Sequence, residues 1–121
     1  MAKKILIIDD EPGICSVVST FLEKKGFTAI AAKSGKEGIG VANHLKPDLI
    51  LLDINMPDMD GFAVLVKIKN SKETASIPVI MFTGRSDEIA KISASALSCE
   101  DYISKPFELE ELLDKVKKII G

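Results

Sequence analysis

The stretch LILLD, Leu49 to Asp53, decides the fold. Four apolar residues in a row leave neither face of a strand polar, which suits a central parallel strand covered by helices on both sides. The runs ILII at 5–8 and VIMFT at 79–83 have the same character, and FTAIAA at 27–32 and DYIS at 101–104 complete five expected strands. Between them lie segments of helical period. Ile14, Val17, Val18, Phe21 and Leu22 fall at i, i+3, i+4, i+7 and i+8, a stripe closed by Gly26. Phe62, Leu65 and Ile68 make a shorter one. Leu109, Leu112, Leu113, Val116, Ile119 and Ile120 share one face of a last helix, with glutamates in its first turn and lysines in its last, matching the helix macrodipole.

Two further helices carry weaker signals. Ser34 with Glu37 three residues on forms a capping box, but Gly38 and Gly40 lie in the interior of that helix, each costing about 1 kcal/mol relative to alanine. The segment SDEIAKISASAL, 86–97, mixes serines and alanines around a thin stripe of Ile89, Ile92 and Leu97. Packing rather than propensity must hold it, which suits a helix able to shift. Five β-α units with no repeat and no linker predict one domain over residues 1–121. The expected architecture is α/β: a three-layer, doubly wound sandwich around a five-stranded parallel sheet in the flavodoxin-like order 2-1-3-4-5.

Composition narrows the function. A chain of 121 residues, 46% hydrophobic, can bury a core without metal or disulfide staples. Its 16 basic and 18 acidic residues give a net charge of −2, so no basic field calls for direct nucleic-acid binding and no polybasic run for anionic lipid. Cys15 and Cys99 have no metal-ligand spacing and read as reduced thiols packed as small hydrophobes. No apolar run approaches the ~18 residues of a membrane span. MAKKILIIDD lacks the apolar core and cleavage site of a signal peptide, so the expected setting is cytoplasmic.

In doubly wound sheets, ligands gather at the carboxyl ends of the strands. Asp9, Asp10 and Glu11 follow the first strand, Asp53 ends the third, Thr83 and Gly84 end the fourth, and Lys105 with Pro106 follows the fifth. In the order 2-1-3-4-5 these four strands are neighbours. Carboxylates sharing a cleft raise one another's pKa unless a cation neutralises them. Oxygen-only donors, without clustered His or Cys, favour Mg2+ over zinc. The lone His44 lies on the second expected helix, away from this edge, as a surface residue. Asp53 is the best placed nucleophile toward phosphorus, because a carboxylate can form an acyl phosphate beside a metal that offsets anion repulsion. Lys105 adds a second positive charge and Thr83 a hydrogen bond to a phosphoryl oxygen.

Taken singly, each feature has a plainer reading. Asp9 to Glu11 read equally as charges at the start of a helix opened by Pro12, Thr83-Gly84 as an ordinary loop, and Lys105 as a solvated lysine. Asp53 is harder to dismiss, since an acid closing an apolar strand needs a partner. Joint occurrence on four adjacent strand ends favours a site. Calcium does not fit: counting an EF-hand loop from Asp53, position six is Asp58 instead of glycine and position twelve is Val64 instead of glutamate. Nor is there a GxxxxGK[ST], GxGxxG or GxSxG motif.

With IDDEP at 8–12, LLDINMPDMDG at 51–61, MFTG at 81–84 and DYISKPF at 101–107, the chain resembles the receiver domain of bacterial two-component response regulators over essentially its whole length. The resemblance implies that Asp53 is the phosphoacceptor, that Asp10 coordinates Mg2+ directly with Asp9 helping through water, and that Asn55 gives its backbone carbonyl to the metal. It implies that Thr83 and Lys105 bind the phosphoryl group, that the Lys105-Pro106 bond is cis, and that Tyr102 is an aromatic switch turning inward as Thr83 moves. Glu11 is left as a charge at the helix start. The implied donor is a sensor histidine kinase or a histidine phosphotransfer protein. The implied output is a downstream target or an effector domain outside this chain, with a phosphorylation-dependent homodimer through the helices at 86–97 and 109–120 as another form. Two departures concern the signalling face: Ser98 stands where the family commonly has glycine, and the second helix replaces small and apolar residues with glycines. The competing readings are a degenerate receiver serving as a constitutive scaffold, and a small Mg2+-dependent phosphatase for which the sequence shows no dedicated general acid.

Overall fold

The computed structural model describes residues 2–84 and 99–121. In chain order the elements are β1 (Lys4–Ile8), α1 (Pro12–Lys24), β2 (Thr28–Ala32), α2 (Gly35–Leu45), β3 (Leu49–Asp53), α3 (Gly61–Lys69), β4 (Val79–Thr83), β5 (Asp101–Ser104) and α4 (Leu109–Ile120). The helix expected at 86–97 and the Ser98 departure lie outside the described residues. The strands form one parallel sheet in the order β2-β1-β3-β4-β5, the flavodoxin-like order expected.

Every residue of β3 and β4 is buried, because strand residues alternate between two cores. Leu6, Ile8, Ile50, Leu52 and Met81 face one core with Val64, Leu65 and Ile68 of α3. Ile5, Ile7, Leu49, Leu51, Ile80 and Phe82 face the other with Val18 and Leu22 of α1 and Leu112 and Val116 of α4. The register pairs Ile8 with Leu52, Asp53 with Phe82 and Thr83 with Ser104, so four strands end at one level. That level carries the acids.

Helix ends follow local chemistry, with three adjustments to the expectations. The Ser34 Oγ accepts the Glu37 N–H at 3.1 Å, but the Glu37 carboxylate accepts from Lys33, one residue before the cap, at 2.7 Å. Gly38 costs α2 propensity yet is needed there: a Cβ would lie 2.5 Å from Ile8 Cδ1, so glycine lets the helix sit directly on β1. Gly40 faces open space and brings no such gain. In α3 the buried stripe is Val64, Leu65 and Ile68, while Phe62 is only half-buried. Among the described residues no helix is long and apolar enough to cross a membrane.

Candidate functional site

Asp9 directly follows β1 and Asp53 ends β3, both on the α1 and α4 side, and the pairing of Ile8 with Leu52 places the two aspartates side by side. Asp9 is fully buried and Asp53 is 3% exposed. Asp10, half-buried, follows at the turn into α1. Carboxylate oxygens of Asp9, Asp10 and Asp53 all lie within 4.8 Å of one another. Such crowding of buried anions is stable only with positive charge among them.

Lys105 brings that charge. Its Nζ lies 3.0 Å from Asp9 Oδ2, 3.3 Å from Asp53 Oδ1 and 3.4 Å from Glu11 Oε1. The Lys105 N–H donates to the Thr83 carbonyl at 2.6 Å, and the Lys105-Pro106 bond is cis. The ammonium also lies 5.9 Å from the centre of the Phe82 ring, which stacks on Phe107. Burial works to lower the Lys105 pKa, but the Asp9 hydrogen bond and the charges of Asp53, Asp9 and Glu11 together outweigh it and raise it. Burial, then the Asp9 charge, push the Asp53 carboxyl from 3.8 up to about 6, against the pull of Lys105 and the Asn55 N–H. The Asn55 N–H reaches Asp53 Oδ1 at 3.4 Å.

The sequence-derived residues thus divide in two groups. Asp9, Asp10, Asp53 and Lys105 come together, with Asn55 beside them. Thr83 is buried at the end of β4. Tyr102 stands away from the acids, half-buried against the core that includes Leu6, Ile8 and Met81. Its register partner is Met81, two residues before Thr83, so Tyr102 and Thr83 are diagonal neighbours on one sheet face.

Glu11 is more than a helix-start charge, since its side chain joins the Lys105 cluster and its N–H donates to Asp9 Oδ1 at 2.9 Å. Asp9 therefore has a protein donor on each oxygen. Three residues escaped sequence reasoning. Gly61 packs so closely that a Cβ would lie 2.5 Å from the Asp53 carbonyl oxygen. Asp58 accepts hydrogen bonds from α2. Cys15, buried beneath the site, points its thiol at the Asp9 carbonyl at 3.3 Å. The glycine of DINMPDMDG was the available signal for the first; the other two contacts have no local signature.

An all-oxygen set of three clustered carboxylates, two of them buried, suits a hard divalent cation such as Mg2+. Residues 5–117 match the family model of the response regulator receiver domain. Similar curated proteins include the DNA-binding dual master transcriptional regulator RpaA of Synechocystis, 40% identical over 117 residues that make up 97% of this chain and 48% of that protein. The alkaline phosphatase synthesis transcriptional regulatory protein PhoP of Bacillus subtilis is 37% identical over 120 residues, 99% of this chain and 49% of that one. The chain spans about half the length of these relatives. Among solved structures, the chemotaxis response regulator CheY4 of Vibrio cholerae superimposes with a TM-score of 0.90 at 28% identity, covering 98% of this chain and 99% of that one.

Proposed function

This chain belongs to the response regulator receiver domain family, a family of phosphoacceptor signalling modules, and on that premise we propose that Asp53 is its phosphoacceptor. The observation that carries the assignment is the Asp9, Asp10, Asp53 cluster bridged by one lysine. Residues 1–121 are read as a single receiver domain in a cytoplasmic setting.

The donor is the phosphohistidine of a sensor histidine kinase or histidine phosphotransfer protein. An Asp53 carboxylate oxygen attacks phosphorus; the P–N bond breaks, and the imidazole nitrogen keeps the electron pair and takes a proton from solvent. With its pKa at about 6, Asp53 is mostly ionised at neutral pH and ready as nucleophile. Lys105, already held beside Asp53, pairs with the arriving phosphoryl oxygens, and the Thr83 hydroxyl donates to one of them. Asp10 would hold Mg2+ directly and Asp9 chiefly through water, with Asp53 and the Asn55 carbonyl completing the protein donors. The ion supplies neutralisation between two anions that otherwise repel.

The phosphoryl group adds about −1.5 to −2 charge. Drawing Thr83 toward it frees space on the sheet face that Tyr102 shares, which biases the face toward a second arrangement. The output is contact with a target protein or an effector domain, or a phosphorylation-dependent homodimer, with no direct nucleic-acid or membrane contact by these residues. Slow hydrolysis of the aspartyl phosphate is expected, but no turnover of free substrates.

Intact mass after incubation with Mg2+ and acetyl phosphate tests this. One acid-stable, base-labile phosphoryl adduct is expected, absent from Asp53→Ala. No adduct with any donor, together with no beryllium fluoride binding, would favour a phosphorylation-independent scaffold.

A further inference from the structure

The loop at 54–60, between β3 and α3, bears the Asn55 backbone, and a side chain with no part in the chemistry above anchors it. Asp58 reaches back to the start of α2. Its Oδ1 accepts from the Gly35 N–H and its Oδ2 from the Lys36 N–H, each at 3.1 Å. These are two of the donors an α-helix leaves without internal partners at its first turn; a third, Glu37, is taken by Ser34. The Gly35 bond first, then the Lys36 bond, holds the Asp58 carboxyl below its ordinary pKa.

The first turn of α2 touches the loop that follows β3 and the last residue of β1, which precedes Asp9. A Cβ on Gly35 would lie 2.8 Å from Val64 Cγ2 and 3.1 Å from Met59 Cβ, so helix and loop are in direct contact. Gly38 rests on Ile8, the residue before Asp9, and the Asp9 N–H donates to Ala32, two residues before Ser34, at 3.0 Å. At its far end the loop is closed by the Gly61 N–H on the Ile54 carbonyl at 2.8 Å. Between those anchors Asp58 is exposed.

We propose that Asp58 is a positioning residue for the cation site: its two-point clasp on the first turn of α2 fixes the loop that carries Asn55, and so sets divalent-ion affinity. The inference rests on the reading of Asp9, Asp10 and Asp53 as a Mg2+ site. Burial of Ile54 and Met56 and the Gly61 N–H hold the two ends of the loop, and the clasp adds a hold on its middle; without it, more of the ordering of the Asn55 carbonyl falls to the moment the ion arrives.

The test is a Mg2+ titration of the whole chain, without phosphodonor, followed by backbone amide resonances at high ionic strength to screen the lost charge. Asp58→Ala is expected to weaken the Mg2+ midpoint by roughly tenfold, the low end for loss of a group that orients a metal ligand. Asp58→Asn, which keeps one acceptor oxygen, should fall between. Phosphorylation by acetyl phosphate should slow at limiting Mg2+ and return to the wild-type rate at saturating Mg2+. In the wild type, Mg2+ should increase exchange protection of the Gly35 and Lys36 amides. An unshifted midpoint in Asp58→Ala, with only the melting temperature lowered, overturns the inference. If that variant does not fold, an unshifted Asp58→Asn or unchanged protection at Gly35 and Lys36 overturns it. A wild-type chain with no Mg2+ response overturns the site reading as well, whereas a responsive wild type with unshifted variants overturns the clasp alone.

Discussion

The Lys105 ammonium stands 3.3 Å from Oδ1 of Asp53, a residue 52 positions away, and each is largely shielded from solvent. Among the described residues this lysine supplies the positive charge beside buried Asp9 and Asp53. Removing one partner of a buried pair leaves the other uncompensated, so Lys105→Ala should lower the stability of the metal-free protein on the order of 2–4 kcal/mol near neutral pH. Mg2+ should recover much of the loss. Urea denaturation with and without Mg2+ checks this; equal losses in both would mean that Lys105 does not serve as the compensating charge.

Asp53 should contribute a component of stability that falls with rising pH. The folded-state pKa of Asp53 is pushed up to about 6, above its ordinary 3.8. Between those values the folded chain binds the proton more tightly than the unfolded chain, so the slope of unfolding free energy against pH is negative there. The loss begins as pH rises past 3.8 and is complete above about 6, amounting to on the order of 1–3 kcal/mol. Asp53→Asn should remove this component, making the metal-free variant the more stable at pH 7. Melting temperatures of both chains across this range decide it.

Three helix glycines should respond differently to alanine. At Gly61 the new Cβ would meet backbone, 2.5 Å from the Asp53 oxygen and 2.6 Å from Ile54 Cα, so the acceptor loop itself must move. We expect Gly61→Ala to destabilise by about 2–3 kcal/mol, in the range of overpacked cores, and to slow phosphorylation. At Gly38 the new Cβ would meet Cδ1, Cγ1 and Cγ2 of the buried Ile8, a side chain rather than backbone, and the helix gains propensity, so a loss is expected but a smaller one. At Gly40 nothing lies within 4 Å, and alanine should stabilise by up to about 1 kcal/mol. Denaturation midpoints should rank the three in that order.

Because Tyr102 is the single tyrosine and the chain has no tryptophan, its fluorescence reports on the proposed switch. Beryllium fluoride with Mg2+ should change that signal in the wild type. Thr83→Ala should still bind the mimic but lose most of the change, since the two residues share one sheet face. A full change in Thr83→Ala would remove Thr83 from the switch.

How far the sequence carries the structure depends on the range of the interaction. LILLD and VIMFT read as central strands because burial on two faces leaves its mark on every residue, and the strand order then places the ends of β1, β3, β4 and β5 together. Asp9, Asp10, Asp53 and Lys105 were legible for the same reason. The Glu11 contact with Lys105 was not, because a surface acid looks the same with or without a distant lysine. Gly38 read as a weak point in a helix; that it admits Ile8 depends on how α2 lies on β1, which helical period does not encode. The Asp58 clasp joins positions 23 residues apart through backbone N–H groups, which every sequence has.

The most direct test of Asp53 as acceptor is chemical mapping of the bond. After phosphorylation with acetyl phosphate and Mg2+, borohydride reduces an aspartyl phosphate to the alcohol, marking the residue that carried it for peptide mass spectrometry. The account predicts homoserine at position 53, dependent on Mg2+ and absent when phosphodonor is omitted. Reduction at Asp9 or Asp10 instead, or a stable phosphoryl adduct with position 53 unreduced, would contradict it.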